Sequence, residues 1–202
     1  MKLYYSPGAC SLSPHIVARE AGLDLQFEKV DLAAKKTASG GDFLEINPKG
    51  YVPVLELDDG TRLTEGPAIV QYLADRKPQS GLVPACGTFE RYRVQEMLGY
   101  VNSELHKTYS PLFRPNITPE LREERLAYLQ KRYELLDRTF DGNPYLFGST
   151  FTVADAYLFT VTNWARAVKL DLSSYPRLLA FQDRVASRPA VQQALKAEGL
   201  VK

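Results

Sequence analysis

The chain has 202 residues, of which 45% are hydrophobic and 24% charged. This is enough apolar material to pack two small domains, and it is far from the composition of a disordered chain. Twenty-five Lys and Arg against 24 Asp and Glu leave a net charge of +1, which removes the electrostatic case for binding nucleic acid or an anionic membrane surface. No stretch approaches the ~20 apolar residues of a bilayer-crossing helix. Pro7-Gly-Ala-Cys10 has the outline of a lipoprotein cleavage site, but the nine residues before Cys10 include Lys2, Ser6 and Pro7. They leave no room for an apolar export core of ~7–15 residues, so the expectation is a mature soluble protein. The two cysteines, Cys10 and Cys86, form neither a CxxC pair nor a metal-ligand spacing, which implies a reducing, cytoplasmic compartment and no metal site.

The first eighty or so residues alternate strand and helix signals. Lys2-Leu-Tyr-Tyr5 is a short β-prone run that ends at the turn Ser6-Pro7-Gly8. Ser11 to Ala21 reads as a helix, with Ser11 or Ser13 as its cap, Pro14 in its first turn and Gly22 as its stop. Leu25 to Val30 alternates at period two and reads as a second strand, parallel to the first through a βαβ crossover. Leu32 to Ile46 is polar and carries Gly40-Gly41, so a loop and a short irregular helix are expected there. Val54–Leu57 is a third strand, and Asp58-Asp59-Gly60 turns it into a fourth at Thr61–Leu63. Glu65-Gly66-Pro67 then opens a helix running through Arg76. The sum is a mixed four-stranded sheet covered by helices.

Pro78, Gly81, Pro84 and Gly87 mark a linker. Beyond it, Phe89–Tyr109, Pro119–Phe140, Val153–Val168, Pro176–Ser187 and Pro189–Glu198 all carry helical periodicity. The predicted organisation is an α/β domain over 1–77, a linker over 78–86 and an all-α domain over 87–202.

Candidate chemistry begins at Cys10, between the first strand and the first helix, where a helix N-terminus favours a thiolate. The same position equally suits an inert buried cysteine. The spacing to Ser13 is C-x-x-S, so no resolving thiol stands nearby. Pro53 cannot donate to a central ladder and belongs at a strand start; a cis Val52-Pro53 bond would turn the Val52 amide outward, toward a peptide-like ligand, while an ordinary trans turn would not. Glu65 and Gly66 at a helix start suit a ligand ammonium and carboxylate. On the residues alone, however, Glu65 reads first as a helix cap. Gly99, Ser103 and His106 form a small, polar stripe with Lys107 beside it. His106 could equally be an ordinary interfacial histidine, Lys35 a solvated lysine and His15 a structural residue. Thr152-Val-Ala-Asp155 is a capping box, a folding signal rather than a catalytic one.

Taken together, these stretches resemble the glutathione transferases, in particular their bacterial, cysteine-containing beta class. The resemblance is carried by Tyr5-Ser-Pro-Gly-Ala-Cys10-Ser-Leu-Ser, by Asn47-Pro-Lys-Gly-Tyr-Val52-Pro53-Val-Leu and by Leu63-Thr-Glu65-Gly66-Pro. Glu104-Leu-His106-Lys107 and Phe151-Thr-Val-Ala-Asp155 complete it, in family order over essentially the whole chain. It implies a thioredoxin-like N-terminal domain, a helical C-terminal domain and a homodimer, with glutathione as co-substrate and no tightly bound cofactor. It also implies that Val52, with Pro53, pairs with the cysteinyl backbone of glutathione. Glu65 and Gly66 would hold the γ-glutamyl end, Lys35 the glycyl end, and Cys10 would stand next to the sulfur. Ser103, His106 and Lys107 would lie near the thiol, with Cys10 and His106 the catalytic pair. Gly8, Tyr109, Phe113 and Trp164 are the candidates for an apolar second-substrate pocket. Similar proteins often carry Asn where this chain has Gly99, and many other classes carry Ser at the position of Gly66.

The leading reading is therefore an enzyme that joins the glutathione thiolate to hydrophobic electrophiles, in some cases displacing halide, in the manner of detoxification. One alternative is a glutathione-dependent thiol–disulfide oxidoreductase working through a Cys10 mixed disulfide. Another is a non-catalytic interaction module, which the intact ligand constellation disfavours.

Overall fold

The structure, a computed structural model, describes residues Met1–Lys202. Two compact units emerge: Met1–Val83 together with Arg188–Lys202, and Pro84–Ser187. No helix is long and apolar enough to cross a membrane.

In the first unit the strands are β1 (Lys2–Tyr5), β2 (Gln26–Asp31), β3 (Lys36–Thr37), β4 (Val54–Glu56) and β5 (Arg62–Thr64), in sheet order β3-β2-β1-β4-β5. β1 is the centre: it runs parallel to β2, with Leu3 opposite Phe27, and antiparallel to β4, with Leu3 opposite Leu55. Leu3 and Leu55 are completely buried, as a central strand demands. The sheet thus has five strands where four are predicted. The extra one, β3, pairs Thr37 with Val30 and Lys36 with Asp31 at the edge. Two residues in a polar, glycine-rich stretch carry no period that sequence can register, and only the neighbouring strand makes them a strand.

Helix α1 (Leu12–Glu20) supplies the β1–β2 crossover. α2 (Phe43–Ile46) is the short helix expected in the polar segment, and its N-terminus is capped by Asp42, which accepts from the Leu44 amide. α3 (Gly66–Asp75) follows β5 and buries Ile69, Val70, Leu73 and Ala74. α1 packs against both α3 and α10 (Pro189–Ala197). The last helix therefore closes on the first unit, although its periodicity alone groups it with the helical region. Arg188 holds Glu20 through both carboxylate oxygens, at 2.6 and 2.8 Å.

Neither serine caps α1. Ser11 occupies the N-cap position with helical backbone angles and makes no cap bond. Its hydroxyl instead donates to the Ser6 carbonyl and accepts from the Ser6 amide, and Ser13 donates to the Cys10 carbonyl. Both side chains are spent on pinning the turn before the helix.

The second unit holds α4 (Phe89–Tyr100), a π-helical stretch Val101–His106, α5 (Lys107–Tyr109), α6 (Pro119–Thr139), α7 (Val153–Thr162), α8 (Trp164–Val168) and α9 (Pro176–Ala186). Every residue of α7 is buried, the mark of a helix surrounded by others; it touches α4, the π stretch, α8 and α9. Two helices predicted as continuous are interrupted, one by the π stretch and one at Asn163. The capping box is present at the start of α7. Asp155 accepts from the Thr152 amide and hydroxyl, each at 2.8 Å, and from the Leu146 amide at 2.9 Å.

Candidate active site

In the first unit, Cys10, Lys35, Val52, Glu65 and Gly66 gather around one loop. That loop, Asn47–Tyr51, is built by the buried Asn47, whose side chain donates to the Tyr51 carbonyl at 2.7 Å and accepts from the Lys49 amide at 3.2 Å. Gly50 takes a φ of 72°, where a side chain would be strained. Lys35 closes the far side by donating to the Gly50 carbonyl at 2.7 Å. Val52 follows, with its side chain sunk in a core of Tyr4, Val30, Phe43 and Val54. The Val52-Pro53 bond is cis. The Cys10 thiol, partly exposed, donates to the Val52 carbonyl at 3.2 Å. One thiol and one anchored backbone segment therefore meet at a point that sequence distance, 42 residues, would not suggest.

Glu65 departs from its expected role. It sits at the N-cap of α3, yet its side chain makes no cap bond. The carboxylate instead accepts from Lys49 at 2.7 Å and from the Tyr51 hydroxyl at 3.0 Å. Its backbone has φ 72° and ψ 113°, a conformation that costs a non-glycine residue about 1–3 kcal/mol. That backbone turns the side chain away from the amides it would have capped, and α3 begins at Gly66 with its first turn closed onto the Glu65 carbonyl. A β-carbon on Gly66 would reach Pro53 at 4.0 Å, an ordinary contact. The Glu65 bond holds the Lys49 ammonium above its usual range. Burial, followed by that same carboxylate, raises the Tyr51 phenol. Lys49 and Tyr51 are site residues that the sequence reading did not single out. The signal was available, because both flank Gly50 in the Asn47-to-Val52 motif.

A third unforeseen residue supports the Cys10 loop. Glu198, with its side chain fully buried, accepts from the Gly8 amide and meets His15 Nδ1, both at 2.9 Å. The His15 ring packs against Phe27, tilted by 32° with centroids 4.0 Å apart. The histidine read as structural from sequence thus has a partner 183 residues away.

In the second unit, His106 Nδ1 lies 2.6 Å from the Tyr157 hydroxyl, which is itself 3.0 Å from Asn102 Oδ1. The His106 ring stands edge-on to Trp164 at 4.9 Å. Trp164 in turn meets Tyr109 at 5.7 Å and Phe113 at 5.8 Å. Of the aromatic pocket candidates, Phe113 is half exposed, whereas Tyr109 is fully buried and bonded through its hydroxyl to Tyr133 at 2.9 Å. Tyr109 backs the group and offers no surface of its own. Ser103 turns its hydroxyl to the Gly99 carbonyl at 3.0 Å. The predicted stripe of Gly99, Ser103 and His106 is re-registered by the extra residue per turn of the π stretch, a feature frequent at functional sites.

The family model for the glutathione S-transferase N-terminal domain matches residues 8–76, and that for the C-terminal domain matches residues 100–189. Glutathione S-transferase GstA of Escherichia coli O157:H7 is 48% identical over 200 residues, covering 99% of this chain and 100% of the relative. The chain belongs to the glutathione S-transferase family. Two solved structures agree over their whole length. A sphingomonad glutathione S-transferase complexed with glutathione superposes with a TM-score of 0.96 at 47% identity, with full coverage of both chains. The bacterial beta class glutathione S-transferase of Sphingomonas chungbukensis gives 0.96 at 48% identity, again with full coverage of both. This glutathione transferase is a beta-class member, with the mixed-sheet N-terminal domain and helical C-terminal domain of that fold.

Proposed function

We propose that the protein joins the sulfur of glutathione to hydrophobic electrophiles, and that its first unit receives the peptide on Cys10, Lys35, Val52, Pro53, Glu65 and Gly66. The observation that carries this reading is the Cys10 thiol 3.2 Å from the Val52 carbonyl, on the same unit as a Glu65 carboxylate held clear of its own helix. A tripeptide thiol needs a backbone partner beside its sulfur, and Val52 is anchored in the core to serve as one. Glu65 offers a carboxylate to the ligand's ammonium, and the start of α3 offers amides and a favourable dipole to its carboxylate. Lys35 supplies a cation for the opposite carboxylate. Lys49 and Tyr51 hold Glu65 in place from the side. His106, with Ser103 and Lys107, acts on the glutathione thiol; this assignment rests on the family resemblance. By the same resemblance, Phe113 and Trp164, backed by Tyr109, are the second unit's candidates for contact with the electrophile and Gly8 the first unit's, and the working form is a homodimer.

With a chloronitrobenzene the step is a substitution. The thiol loses its proton, the sulfur forms a bond to the ring carbon, and chloride leaves with the electron pair of the C–Cl bond. Glutathione brings its own nucleophile, so Cys10→Ala is expected to lower turnover without abolishing it under saturating glutathione. Failure of the wild type to form the conjugate, or to be retained on immobilised glutathione, would overturn the proposal. The exposure of the Cys10 thiol favours one second reading, thiol–disulfide exchange. In it, the Cys10 thiolate attacks glutathione disulfide, one S–S bond forms as another breaks, and glutathione thiolate leaves. A single glutathione adduct by mass, absent in Cys10→Ala, together with no conjugation, would select it.

A further inference from the structure

The start of α3 is short of donors for a ligand carboxylate. Pro67 has no N–H, and the Ala68 and Ile69 amides both donate to the Glu65 carbonyl at 3.0 Å. Gly66 is left as the amide best placed to receive an outside carboxylate, and it adds no hydroxyl. In the γ-glutamyl end of glutathione the α-carboxylate and the ammonium sit on one carbon. Binding the ammonium at Glu65 therefore brings the ligand's carboxylate close to the Glu65 carboxylate, and like charges at that range repel unless a cation stands beside them. Lys49 is such a cation. Its ammonium donates to Thr64 Oγ1 at 2.9 Å and to Glu65 Oε1 at 2.7 Å. Thr64 ends β5 and Glu65 precedes α3, so the ammonium is fixed between a strand and the helix start, all within the first unit. An ammonium has three donors. Two are spent here, and the half-exposed side chain leaves the third open to solvent. The bond to Glu65 holds Lys49 above its usual pKa, so the charge is present at neutral pH. Tyr51 bonds the same Oε1 at 3.0 Å, which secures Glu65 from a second direction.

We propose that Lys49 is a further glutathione-binding residue, whose third N–H takes the γ-glutamyl α-carboxylate together with the Gly66 amide while Glu65 takes the ammonium beside it. The proposal rests on the reading of Glu65 and Gly66 given above and deepens it. The zwitterionic head of the peptide then meets a zwitterionic pair on the protein, plus against minus at both positions, and no charge is left facing a like one.

Titration calorimetry of the full chain with two ligands tests this. One is glutathione; the other is 4-aminobutanoyl-cysteinylglycine, which is glutathione without that α-carboxylate. Lys49→Met removes the charge and keeps the stem. It should raise the Kd for glutathione about fivefold and leave that for the analogue within about twofold of the wild type. The urea unfolding midpoint should hold, because a half-exposed ion pair contributes little to stability. Glu65→Gln should weaken both ligands, since both carry the ammonium. A glutathione Kd within about twofold of the wild type in Lys49→Met would overturn the inference. So would an equal loss with both ligands, which would mean that Lys49 acts only through Glu65. Tighter binding of glutathione would overturn it too, because Lys49 would then compete with the ligand's ammonium. A wild type that does not bind glutathione, or a Glu65→Gln variant that binds it unchanged, would instead overturn the functional reading on which the inference stands.

Discussion

Replacing Glu65 by Gly should push stability and glutathione affinity in opposite directions. At φ 72° and ψ 113° the native residue carries about 1–3 kcal/mol of backbone strain, which glycine relieves. Glycine also gains freedom in the unfolded chain, which offsets about 0.5–1 kcal/mol of that relief. The lost ion pair with Lys49 matters little, because both side chains are about half exposed. The net expectation is a variant between equal to the wild type and about 2 kcal/mol more stable, read from urea unfolding. Binding should move the other way. A charge-assisted hydrogen bond to the ligand ammonium contributes about 1.5–3 kcal/mol, so the KM for glutathione should rise roughly tenfold to 150-fold. Glu65→Gln serves as the control: it keeps the strained backbone, loses the charge, and should reproduce the affinity loss without the stability gain. A Glu65→Gly protein destabilised by more than about 1 kcal/mol, or one with unchanged KM, would refute the argument that Glu65 is held strained for its ligand.

Glu198→Ala strands the Gly8 amide and the buried His15 ring nitrogen that the carboxylate now holds. At about 1–3 kcal/mol for each buried group left unpaired, the unfolding free energy should drop by about 3 kcal/mol, and the Gly8 amide should exchange faster with solvent; a loss under about 1 kcal/mol would show that the contact is idle. Asp155 gives a pH signature. Burial outweighs its three accepted hydrogen bonds and pushes its carboxyl up to about 6, against about 3.9 in an unfolded chain. Between those values the folded state binds more protons than the unfolded one, so this group's contribution is greatest at the acid end and declines as pH rises through 6. Relative to Asp155→Asn, the wild type should lose up to about 3 kcal/mol between about pH 4 and 6.5, and a flat or rising difference in urea melts would contradict the shift.

Local chemistry was enough to read the order of elements. A β-prone run before Ser6-Pro7-Gly8 marks β1, a period-two run marks β2, the Asp58-Asp59-Gly60 turn marks the end of β4, Pro67 marks the start of α3, and Thr152 with Asp155 marks the start of α7. Each of these signals is completed within a few residues of itself, so no distant contact can hide it. The same holds for Cys10 and Val52 as candidates, since a cysteine before a helix and a proline before a strand have consequences that are local. Tertiary structure decided the rest. β3 exists only because β2 lies alongside it to accept its pairing. Glu65 abandons its cap because Lys49 and Tyr51 arrive from a loop fixed by Asn47. His15 receives its partner from the residue that follows α10, and His106 meets a hydroxyl carried by α7. In each case the deciding atom comes from another element, and side-chain hydrogen bonds, unlike periodicity, leave no trace in the spacing of the residues that make them.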